Sequence, residues 1–149
     1  MVEALSVLVL LGTGLVAGVL FAVAVSVMPA LIAMPPDRYV ITHKLLGRRY
    51  DRIMPFIVVG ATVIDVVLAV RATGGARLLF AAAALCMVGV AVVSQTRNVP
   101  INNRVKRTDP DAIGSDWHDP RGQWRDWHLV RTGFAVAGCT LSATAVVLS

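Results

Sequence analysis

The sequence predicts an all-α integral membrane protein: a four-helix bundle with a short interfacial helix after the first span and a long polar loop before the fourth. Three observations carry that prediction. Of 149 residues, 56% are hydrophobic and 15% charged, whereas soluble domains carry roughly a quarter charged residues. The shortage is uneven, because four windows near the ~20-residue length that crosses a bilayer hold almost no charge. The basic residues, in turn, crowd into two segments between those windows. The length suits one membrane domain, residues 1–149.

The first span is the apolar run from Leu5 to Ala33, whose one early charge is Glu3. A cleaved leader has a basic start and a shorter apolar core of ~7–15 residues, so a retained helix is expected. Gly14 and Gly18 form a small-xxx-small pair that lets another helix approach closely, and Pro29 is expected to kink the far end. Pro35 and Pro36 close this helix. From Asp37 to Asp51, the helical spacing of Tyr39, His43 and Leu46 predicts the short interfacial helix.

The second span covers residues 53–70, with Pro55 in its first turn, where a missing N–H costs little. Asp65 lies inside it, about 18 Å from the start at ~1.5 Å per residue. An acid in lipid marks either a functional site or a hydrogen bond to a neighbouring helix. A turn containing Gly74 and Gly75 leads to the alanine-rich third span, residues 78–93. Pro100, Pro110, Gly114 and Pro120 are expected to break regular structure in the polar segment that follows. Helical spacing resumes at Gln123 and runs into the fourth span, residues 129–148. Cys86 and Cys139 both fall in apolar spans without metal-ligand spacing and read as small hydrophobes.

Four spans place the first and third connections on one side and the termini with the second connection on the other. The first side carries twelve of the fourteen Lys and Arg residues, leaving only Arg71 and Arg77 opposite. The positive-inside rule then puts loops 34–52 and 94–128 in the cytoplasm and both termini outside an inner or plasma membrane. The net charge of +5 is thereby explained by topology, and no nucleic-acid module is present. The bilayer itself is the expected partner, and the glycine-bearing helix faces allow a homo-oligomer.

This topology also gathers His43, His118 and His128 at one end. None lies within a span, which argues against a transmembrane bis-histidine haem. Trp124, His128 and Arg131 recur at i, i+4 and i+7, so a helix presents them on one face, with Trp127 alongside. An aromatic wall, a base poised near neutrality and a fixed cation suit a planar, ionisable, lipophilic substrate. The competing reading is an interfacial aromatic belt with a snorkelling arginine. Asn98, Asn102 and Asn103 surround Pro100 near the membrane boundary, where carboxamides need partners; turn and capping chemistry is the alternative. A metal site built from His43, His118 and His128, with Asp116 or Asp119 nearby, would suit zinc, copper or iron, although no His-x-x-x-His spacing supports it.

In their order along the chain, several of these residues resemble the anthrone oxygenase-like family of small four-helix membrane proteins. The matching features are Met28-Pro29-Ala30-Leu31, then Tyr39, His43, Arg49-Tyr50-Asp51 and Met54-Pro55, then Asn98-Val-Pro100-Ile-Asn102, and finally Trp124, His128 and Arg131-Thr132. The resemblance implies oxygenation of a polycyclic phenolic anthrone with O2 in polyketide pathways. It carries chemistry over to His128, Arg131, Asn98 and Asn102, and to His43; Trp124, Trp127, Tyr39 and Asn103 are the expected substrate contacts. Thr108 to Gln123, including His118, is peculiar to this chain and is a candidate lid. An easily oxidised substrate needs no cofactor beyond O2; a less activated one needs a single copper, iron or zinc ion. Two other functions fit the composition: a non-catalytic membrane subunit that binds a partner, and a small proton-linked carrier using Asp65.

Overall fold

The computed structural model describes residues 2–114 and 116–149, so Ser115 of the polar loop lies outside it. The chain forms four long helices in a bundle: α1 (Val2–Ala33), α2 (Pro36–Arg71), α3 (Gly74–Arg107) and α4 (Arg121–Leu148). All are long and apolar enough to cross a membrane, and no strand occurs among the described residues. The protein is therefore an integral membrane helical bundle.

Two expected breaks are absent. The segment read as a separate interfacial helix is the first part of α2, which runs unbroken for 36 residues, about 54 Å. Only about 30 Å of that length fits a hydrocarbon core. Because residues 53–70 are the apolar part, the polar first turns extend beyond it. Pro55 consequently sits in mid-helix rather than in a first turn. Likewise α3 does not end at Val93 but continues to Arg107, so the true loop spans only residues 108–120.

The prolines of α1 and α3 are accommodated in the same way. Pro lacks an N–H and collides with the carbonyl four residues back, which is Val25 for Pro29 and Thr96 for Pro100. Both of those carbonyls lie in a wide π turn, Val23–Val27 in α1 and Ser94–Asn98 in α3. The bonds there reach back five residues, from Met28 N–H to the Val23 carbonyl and from Val99 N–H to the Ser94 carbonyl. One extra residue in the turn absorbs the misfit, and each helix continues. Such turns recur at functional sites, and both border the polar cluster described below.

Three apolar clusters stack along the bundle. Val9, Leu68, Phe80 and Ala145 pack at the end holding the termini, and Val16, Leu20, Val58, Met87 and Ala135 in the middle. Met28, Leu31, Tyr39, Ile101, Val105 and Trp124 pack at the opposite end. Close helix contact relies on glycines other than the predicted pair. A Cβ at Gly12 would meet Ala61 Cβ at 3.2 Å, and one at Gly138 would meet Cys86 Cβ at 3.2 Å. A Cβ at Gly14 or Gly18 would meet nothing within 4 Å, so that pair serves no contact inside this chain. The α2–α3 turn needs Gly74, at φ +57°, and Arg77 closes it by donating to the carbonyls of Ala69, Val70 and Ala72.

Candidate functional site

The polar ends of α2, α3 and α4 place imidazole, indole, guanidinium and carboxamide groups together. His128 is fully buried, while His43 and Trp124 are nearly so. The Trp124 indole stacks on the His128 ring, with centroids 5.1 Å apart and planes 15° apart. His43 meets the same indole edge-on at 5.8 Å, and Tyr39 meets His43 edge-on at 5.4 Å. The i, i+4, i+7 spacing of Trp124, His128 and Arg131 thus produces the shared face expected of it.

The hydrogen bonds of His128 determine its tautomer. Arg131 directs Nε and Nη2 at His128 Nδ1, at 3.1 and 2.8 Å. A nitrogen facing two guanidinium donors must offer a lone pair. The ring proton therefore sits on Nε2, which donates to the Leu20 carbonyl at 3.0 Å. That carbonyl lies just before the α1 π turn. Arg131 Nη1 also donates to Ser94 Oγ at 3.3 Å, at the head of the α3 π turn. Every partner of this partly buried cation is neutral, and no ion pair among the described residues includes it.

The asparagines engage Trp124. Asn98 Nδ2 donates to the Trp124 carbonyl at 3.3 Å, and Asn102 Oδ1 accepts from Trp124 Nε1 at 3.0 Å. Asn98 is fully buried, yet its Oδ1 has no partner, and the same is true of the Tyr39 hydroxyl.

Other predicted residues lie apart from this cluster. Asn103 and His118 are exposed. Trp127 sits under the Arg97 guanidinium, 4.6 Å from its ring centroid, rather than in the stack. The three histidines do not assemble: His43 and His128 both touch Trp124, while His118 is on the loop. Among the described residues no group of three or more His, Cys, Asp or Glu side chains is placed to hold a metal. Two hollows of the bundle also lie elsewhere. One is an open groove of about 620 Å³ lined by Val66, Val70, Leu85 and Val88; the other, of about 260 Å³, lies near the termini beside Leu68 and Leu148.

The sequence reading missed Arg121. Its Nη1 donates to the carbonyls of Leu31, Ile32 and Met34, closing the exposed end of α1, while its other nitrogens hold Asp119. Its guanidinium also lies 5.3 Å from the Tyr39 ring centroid. The Arg121 hydrogen bonds hold the Asp119 carboxyl below the usual carboxylate range. A cation in the first turn of a helix opposes the macrodipole, and that misplacement was the available signal. With Trp117 packed against Tyr39 at 6.4 Å and Lys44 bonded to the Thr108 carbonyl at 2.7 Å, the 108–120 loop covers the polar end of the cluster.

Fold and site together define a membrane-embedded helical bundle with a buried His–Arg–Asn cluster at its polar end. The anthrone oxygenase family profile matches residues 43–141, well over half of the chain. The chain belongs to that family. The matched stretch includes His43, Asn98, Asn102, Trp124, His128 and Arg131, and excludes Tyr39 and the Met28–Leu31 motif. No curated protein and no solved structure matches the chain.

Proposed function

We propose that this protein oxidises an electron-rich polycyclic phenol of the anthrone type with O2, at the His128–Arg131 pair. The observation that carries the reading is Arg131: a partly buried guanidinium with only neutral partners, bonded to a neutral imidazole. A largely buried cation whose hydrogen-bond partners are all neutral is costly, and it suits a reaction in which negative charge develops beside it. Membership of the anthrone oxygenase family supports this reaction class.

The lipophilic substrate enters laterally from the bilayer. Its carbonyl oxygen draws the Arg131 guanidinium away from His128 Nδ1, uncovering the lone pair. Nδ1 takes a proton from the ring methylene while Arg131, aided by Asn98 and Asn102, holds the resulting enolate oxygen. His43 serves as a second base in this reading. The carbanion carbon bonds to O2 and, with a proton, becomes a hydroperoxide. Loss of water, using the second hydrogen of that carbon, leaves the quinone carbonyl. Substrate and O2 thus give quinone and one water, O2 being the oxidant. No step requires a further cofactor. In this reading the basic ends of α2 and α3 face the cytoplasm and the product is a polyketide quinone.

The test is quinone formation and O2 uptake by the protein in lipid nanodiscs, measured above the uncatalysed rate. His128→Gln is expected to lower turnover at least ~100-fold, the usual contribution of a positioned base. Undiminished turnover by a folded variant rejects the assignment.

A further inference from the structure

The cluster has the chemistry of a site but is filled by its own tryptophan. Trp124 contributes a flat, largely buried ring stacked on His128. Its single N–H is spent on Asn102 Oδ1. An indole has no acceptor and no second donor, so it meets the stacking surface and one polar group only. Among the described residues three buried side-chain atoms lack a partner, and two of them, Tyr39 Oη and Asn98 Oδ1, belong to this cluster. Both residues are fully buried. Tyr39 reaches the indole through His43, and Asn98 is bonded to the Trp124 backbone.

Buried polar groups without partners are disfavoured in a packed interior. A phenolic O–H and a carboxamide oxygen left without partners in the cluster that holds this stacked ring match a ligand larger than indole and bearing oxygens. We infer that the Trp124 indole holds the place of the substrate's ring system, and that Tyr39 and Asn98 read its oxygen substituents. On entry the polycycle displaces the indole, its central ring lying against the Nδ1 edge of His128 and its outer rings filling the space the indole leaves. A substrate hydroxyl donates to Asn98 Oδ1, and the Tyr39 hydroxyl donates to a second substrate oxygen. Tyr39 lies four residues before the stretch matched by the family profile. The inference rests on the anthrone-type reading and assigns the residues that choose among such substrates.

Binding measured without oxygen separates the two ideas. The full chain in nanodiscs is equilibrated anaerobically with 1,8-dihydroxyanthrone or unsubstituted anthrone, and free ligand is measured by dialysis. The wild type is expected to prefer the dihydroxy compound by about tenfold or more, since a site built to bond a hydroxyl rejects the analogue lacking it. Tyr39→Phe should cut that preference about fivefold or more while melting no earlier than wild type, because it removes an atom that bonds to nothing. Trp124→Phe, a smaller stand-in, should bind both compounds several-fold more tightly. Equal binding of the two ligands by wild type overturns the inference. So does an early-melting Tyr39→Phe with unchanged preference, or weaker binding by Trp124→Phe, which would make the indole a wall. Selective anaerobic binding without quinone formation in air would leave the site in place and reject the oxygenase reading; turnover without selectivity would do the reverse.

Discussion

The buried polar cluster around His128 and the one around Asp65 are built differently. Around His128, three helices contribute groups that bond across the chain: the Leu20 carbonyl, Ser94, Asn98 and Arg131. Nearer the termini, Asp65 is fully buried and accepts one bond from Ser142 Oγ at 2.9 Å, while its second oxygen has no partner. Thr13, at similar depth, turns its hydroxyl to the Val9 carbonyl of its own helix. The Asp65 tier lies between two apolar clusters whose helices carry Ala61 and Leu68, and no cation bonds to it. One region joins cation, base and carboxamides; the other is a single helix-to-helix bond. Assembling a site takes several groups with complementary roles, and a buried acid alone does not supply them.

The largest expected effects break that comparison if it is wrong. Arg131→Met should lower turnover at least ~100-fold, as removal of a preorganised oxyanion donor does. Thermal stability should change little, because relief of a buried cation's desolvation is offset by a buried His128 Nδ1 left without its donors. Asp65→Asn keeps the shape and an acceptor for Ser142 in a tier separate from the His128 cluster, so turnover should stay within about twofold. Loss of function in Asp65→Asn with Arg131→Met active would invert the assignment and favour a proton-linked carrier.

A second prediction sharpens the contrast at the polar end. Arg121→Ala leaves three carbonyls at the end of α1 without their side-chain donor and frees Asp119. Stability should fall by about 1–3 kcal/mol, the range for lost charged hydrogen bonds. Substrate preference should weaken as well, because the guanidinium and Tyr39 pack together. Urea or thermal unfolding in detergent reads the first effect, and anaerobic binding reads the second.

The helices and their faces were readable from the sequence because periodicity and charge depletion are local. Trp124, His128 and Arg131 met because their spacing alone places them on one face. The continuity of α2 and α3 was not readable, since Pro55 and Pro100 are ordinarily breakers and the compensating π turn at Ser94–Asn98 has no residue signature. The partners of Asn98 and Asn102 were also hidden. Their bonds to Trp124 cross 26 and 22 residues, a register that packing determines. His118 was drawn into the expected site by topology, which places residues at an end of the bundle but not at a distance from one another.

The smallest expected effect concerns Asp119, which connects the loop to the polar tier and has no counterpart near Asp65. Its folded carboxyl titrates below the ordinary value of 3.8, chiefly through the Arg121 side-chain hydrogen bonds. For a depressed acid, the stabilisation is fully present above the unfolded value and is lost as pH falls through the lower folded one. The loop attachment should therefore weaken only below about pH 4. Its contribution is small, because the carboxylate is 41% exposed and water screens it. Melting temperatures of wild type and Asp119→Asn, compared between about pH 5 and pH 3, should converge as the acid protonates. A gap that stays constant over that interval would mean that Arg121 holds the end of α1 without help from the Asp119 charge.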